Sequence, residues 1–169
     1  MASKNFLPDH YLHALGLVTA TWAIFETSVD FIVLITFKMF ERHPDHKEMP
    51  RTSMWRKIGY LNDISGLPQF ASWRNAIERV ATSAESLRQE RHDAAHGAIE
   101  ERVDDHTMQV FRVLHEKTDQ RIKQSKVTAD SLIGLAERIM GEGSSAADLA
   151  RELFDAAKKA GGGALNHAD

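Results

Sequence analysis

The chain has 169 residues, 43% apolar and 27% charged, which suits one domain with a real core and excludes a wholly disordered protein. It contains no cysteine, so disulfides, thiolate metal sites and cysteine nucleophiles are excluded, and the expected compartment is the cytoplasm. The net charge of −3 is unevenly spread: residues 1–50 hold four Lys/Arg against six Asp/Glu, residues 51–91 seven against four, and residues 92–169 ten against fourteen.

The N-terminus carries Lys4 but no short apolar run closed by small residues, so no secretory signal is expected. Asp9, after Pro8, is placed to cap a helix running to about Phe40. Leu15, Val18, Trp22, Phe25, Val29 and Ile32 recur at spacings of three and four, the stripe by which a helix buries one face. Such a helix would be roughly 45 Å long and serve as the central core element. Glu26 and Asp30 interrupt its apolar run, leaving only Phe31 to Phe37, short of the roughly 20 residues of a membrane span, so no membrane association is expected. Residues 41–50, bracketed by prolines and containing His43 and His46, read as a surface loop.

A shorter helix is predicted from Ser53 to about Asp63 with Trp55, Ile58 and Leu61 inward, after which Gly66-Leu67-Pro68 breaks the chain. In the next helix Phe70, Trp73, Ile77, Val80, Ala84 and Leu87 form a second stripe, and four residues beyond Leu87 stands Arg91. A charge at a core position is costly unless it is paired or lines a cleft. Gly97 suits the residue that closes this helix, which puts His96 in or beside the last turn. Residues 98–103 and 108–114 flank a turn-like Asp104-Asp105-His106-Thr107 and suggest a small β-hairpin, with a continued helix as the alternative. Two amphipathic helices follow, about Thr128 to Met140 and Ser144 to Lys159, parted by Gly141-Glu142-Gly143. The fold expected is all-α, a single helical domain over residues 1–160 with a loose tail over 161–169.

The chemistry concentrates in Glu90-Arg91-His92-Asp93-Ala94-Ala95-His96-Gly97. The run Arg91-His92-x-x-Ala95-His96-Gly97 resembles the R-x4-6-H motif of HEPN domains, in which a polar residue follows the Arg and a Gly often follows the His. The opening helix, with Trp22-Ala23 and Glu26 near its middle, is similar to that of stand-alone members, and the likeness covers roughly residues 10–100. The resemblance implies an up-and-down helical bundle that forms homodimers, and a metal-independent endoribonuclease with no cofactor. The RNA 2′-hydroxyl would attack the adjacent phosphorus and leave a 2′,3′-cyclic phosphate. His96 would transfer the proton, Arg91 would grip phosphate oxygens through its planar fork, and His92 would be a second proton-transfer or orienting group. Glu26 would fix the Arg91 guanidinium. A non-catalytic module that binds RNA or protein fits the same resemblance, and RNA and a restraining antitoxin or other protein are the partners compatible with it.

Geometry adds a constraint of its own. Five residues along an α-helix turn a side chain by about 140° net, so Arg91 and His96 share no face of a continuous helix. Either the helix ends between them or two chains supply the site jointly. Arg88, His92 and His96 do share a stripe, which makes Arg88 a substitute for Arg91. Purely structural roles compete: a buried ion pair of Arg91 with Glu26 or Asp30, and a histidine at the helix C-terminus for His96. His92 and His96 also form a zincin-like H-x-x-x-H, but Asp93 stands where Glu is usual, Gly97 follows at once, and no third ligand has a recognisable spacing. Phosphate-binding Gly loops, dinucleotide fingerprints and nucleophile elbows are absent from the sequence. The basic surplus of residues 51–91 leads into the motif, and a solvated helix face explains it as well as a phosphate-binding patch.

Overall fold

A computed structural model describes residues 7–41, 43–50, 52–96, 98–104, 107–115 and 120–160. It is mostly helical. Helix α1 spans Asp9–Met39, α2 Met54–Ser65 and α3 Arg74–His96, with a single 3₁₀ turn at Pro68–Phe70 ahead of α3. Three strands follow, β1 (Ala98–Arg102), β2 (Thr107–His115) and β3 (Gln120–Thr128), and α4 (Ala129–Ala160) ends the fold.

The chain divides into two compact units built from interleaved segments: residues up to 23 with 87–139, and residues 24–86 with those from 140 onward. The single domain expected over 1–160 is thus made of two units, because α1, α3 and α4 are each long enough to contribute to both. In the first unit Tyr11, Ala14, Val18, Trp22, Leu87, Met108, Leu132 and Ile139 are buried. In the second Phe25, Ile32, Leu61, Phe70, Ile77 and Leu153 are buried. Every residue of the predicted α1 stripe from Val18 to Ile32 is buried, and Leu15 is half-buried. By length and composition α1 could also cross a membrane, and half of its most apolar window is buried within the protein.

The hairpin expected after the motif is present as β1 and β2, paired antiparallel with Ala98 opposite Phe111 and Arg102 opposite Met108. The register shifts between Ile99 and Glu101, the mark of a β-bulge, which adds twist to a short edge strand. A third strand was not expected. β3 pairs with β2 along its whole length, from Thr107 opposite Thr128 to His115 opposite Gln120, making a sheet of order β1-β2-β3. Its sequence, QRIKQSKVT, has Ile122 and Val127 on opposite parity, so no alternation announces it. It is an edge strand, with β2 as its neighbour in the sheet.

The two expected C-terminal helices are one. α4 starts with a reciprocal cap, in which the Thr128 N–H donates to Ser131 Oγ at 3.0 Å and the Ser131 N–H donates to Thr128 Oγ1 at 3.0 Å. It then runs without a break through Gly141 and Gly143. A Cβ on Gly143 would lie 3.5 Å from Phe25 Cα, in ordinary van der Waals contact, so α4 lies close against the α1 backbone here with no room for a larger side chain. Packing thus overrides the local cost of two helix-interior glycines. α2 also differs in one respect: Ile58 and Leu61 are buried as predicted, but Trp55 is 65% exposed, and Met54 takes its place in the core.

Candidate functional site

The motif falls in the last two turns of α3, within the first unit. Arg88, Arg91 and His92 are all half-buried there. Arg91 continues the stripe of Val80, Ala84 and Leu87, and its guanidinium carbon lies 6.0 Å from the centroid of the Trp22 ring on α1, at the outer limit of a cation–π contact. Its Nε is buried. At 6.0 Å the Trp22 ring is a neighbour of the guanidinium rather than a clamp on it.

This end of α3 is also tied to α4. Arg138 Nη1 donates to Glu90 Oε1 at 3.1 Å, and Nη2 donates to Glu90 Oε2, a bidentate pair that holds the Arg138 guanidinium further up in pKa. Both partners are exposed enough that water screens the pair, so it contributes orientation more than stability. Arg138 was invisible to motif reasoning because 48 residues separate it from Glu90. One turn on, Gln89 Nε2 donates to Asp93 Oδ1 at 3.1 Å, so the Asp93 carboxylate accepts from its own helix.

α3 remains helical through position 96, which removes a helix end between Arg91 and His96. On an unbroken helix the two positions lie about 140° apart around the axis, while 88, 92 and 96 follow one stripe. The side chains of His96 and His115 lie outside the described residues, as do Gly97, His106, His167 and the tail over 161–169. Among the described residues no three His, Asp or Glu side chains converge as a metal-binding group. His10 and His13 are exposed.

Glu26 belongs to the second unit, where it and Asp30 flank a lysine that sequence reasoning missed. Lys57 Nζ lies 3.3 Å from Glu26 Oε1 and 2.6 Å from Asp30 Oδ1, and its side chain is only 3% exposed. The polar residues that interrupt the apolar run of α1 therefore have a structural occupation in binding α2. His43 and His46 are also more ordered than a solvated loop requires: His46 Nε2 is 2.8 Å from Asp63 Oδ2, and its ring centroid lies 5.3 Å from that of His43 and 5.0 Å from that of Tyr60.

Comparison with protein-family models, with curated proteins and with solved structures gives no match to this chain.

Proposed function

We propose that the protein is a metal-independent endoribonuclease of HEPN type, with Arg91, His96 and His92 as the reacting groups and a second copy of the chain completing the site. The observation that supports this reading is the unbroken helix beneath the motif. Positions 91 and 96 lie about 140° apart around its axis, and two copies of α3 facing each other would offer one phosphodiester the arginine of one copy and the histidine of the other.

In the reaction the 2′-hydroxyl oxygen forms a bond to the neighbouring phosphorus, and the bond from phosphorus to the 5′-oxygen breaks. The hydroxyl proton passes to one imidazole, and the leaving oxygen takes a proton from an imidazole or water. Arg91 offsets the charge gathering on the non-bridging oxygens. Arg88, on the stripe of His92, is placed to hold a flanking phosphate.

A non-catalytic RNA- or protein-binding module is the second reading. The half-burial of Arg91 beside Trp22 favours it, because the same contact serves a purely structural end. Incubating the purified chain with mixed RNA in chelator separates the two. The enzyme yields fragments ending in 2′,3′-cyclic phosphate, and both Arg91→Ala and His96→Ala lower the rate by at least about 100-fold. RNA retained intact by a well-folded wild type would overturn the enzymatic reading.

A further inference from the structure

A groove of about 550 Å³ opens between α1 and α4 in the second unit. Its floor is formed by Phe31, Leu34, Ile35, Met39, Ala150 and Phe154. Phe31 is 53% and Leu34 41% exposed, and Ile24, one heptad before Phe31, extends the same apolar face of α1. A helix with apolar residues on its outer as well as its inner side has more to bury than its own chain covers. From Ile24 to Met39 the stripe is about 22 Å long, room for roughly four turns of an opposing helix.

The charged residues lining it are cations, and one of them, Arg151, also donates from Nη1 to Asp148 Oδ1 at 3.1 Å, which offsets part of its charge. Lys38 and Arg151 line the groove, and the Lys158 ammonium lies 4.4 Å from the centroid of the Phe154 ring. Among the described residues that line it, none is acidic. Asp148, the partner of Arg151, stands about 110° and Asp155 about 90° around the axis from the centre of the groove wall, so neither lines the floor, and Lys38 and Lys158 leave the rim with a cationic surplus. A second copy of the chain would bring the same cationic surplus to this face and no carboxylate that lines it. A flat lipid surface would leave the concave floor unfilled.

We infer that this groove docks an acidic amphipathic helix supplied by another protein, with apolar side chains at i, i+3, i+4 and i+7 on the floor and carboxylates meeting Lys38, Arg151 and Lys158. This is the helix-in-groove mode of recognition, in which apolar anchors carry affinity and rim charges choose the partner.

The test uses fluorescence anisotropy on the full chain with two labelled 18-residue helical peptides of Leu, Ala and Glu, or of Leu, Ala and Lys, with leucines at that spacing. The glutamate peptide binds saturably and the lysine peptide does not. Leu34→Asp weakens binding at least about tenfold, whereas Trp55→Ala, on a different exposed surface, leaves it unchanged. The double variant Lys38→Glu/Arg151→Glu, altered only at the rim, exchanges the preference to the lysine peptide. That exchange separates recognition from misfolding. Absence of saturable binding, equal binding of both peptides, or indifference to Leu34→Asp overturns the inference. So does either competing occupant: a wild-type dimer that Leu34→Asp turns into monomer in sedimentation, or phosphatidylglycerol vesicles bound by a chain that ignores the peptides.

Discussion

Lys57 decides more of the local structure than its position in the sequence suggests. Its ammonium is enclosed, yet it touches two carboxylates, Glu26 at 34% and Asp30 at 55% side-chain exposure, so the cost of burying the charge is met by partners that water still reaches. Removing it takes away one polar attachment of α2 to α1 and leaves the hydrogen bond from the Tyr60 hydroxyl to Thr36. Lys57→Met should lower unfolding stability by about 1–3 kcal/mol, the lower part of the range for a broken buried pair because the acids remain partly solvated, and Lys57→Ala should cost more through the cavity it adds. Denaturant titration measures both, and an unchanged midpoint would remove the triad from the account. The sequence hid this lysine because spacings of three and four along residues 54–65 satisfy two adjacent stripes equally well. Trp55 with Ile58 and Leu61 has the same periodicity as Met54 with Ile58 and Leu61, and the choice between them is made by what α2 packs against. Arg91 was legible for the opposite reason: a charged residue on the axis of a strong apolar stripe has few places to go.

At the scale of elements, the helices follow from capping and periodicity, and the errors fall where packing overrules them. α4 passes through Gly141-Glu142-Gly143, which local propensity reads as a break. The two glycines should therefore respond differently to substitution. Gly141 has open space around it, so Gly141→Ala should raise stability by about 0.5–1 kcal/mol as in any exposed helix interior. Gly143 faces the Phe25 backbone, so Gly143→Leu should destabilise the chain by about 1–3 kcal/mol through overpacking. Thermal melts of the two variants check this, and a destabilising Gly141→Ala would argue for a broken helix after all. β3 escaped prediction because Ile122 and Val127 stand on opposite parity, and the backbone ladder that pairs it with β2 leaves no trace in hydropathy.

For the molecule as a whole, pH enters through two phenols, one in each unit. Burial pushes Tyr11 above its usual 10.0, and it does the same for Tyr60, where it outweighs the hydrogen bond with Thr36 that acts the other way. The unfolded chain releases these protons from about pH 10 upward while the folded chain keeps them. Stability should accordingly fall as pH climbs past 10, with no slope from either group in neutral solution. Tyr11→Phe and Tyr60→Phe should each flatten that alkaline decline relative to wild type, and parallel curves would show that the phenols do not govern it. The groove between α1 and α4, by contrast, was unreadable from the sequence, since an apolar residue looks the same whether its own chain covers it or not.

The continuity of α3 has a further consequence for the proposed nuclease. If each phosphate is held by the arginine of one protomer and attended by the histidine of the other, Arg91→Ala and His96→Ala are complementary defects. Mixed and allowed to exchange subunits, the two inactive proteins should regain roughly a quarter of wild-type turnover, since half of the random pairs are hybrids and each hybrid owns one intact centre of two. A mixture as dead as its ingredients would mean that the partnership across chains does not exist.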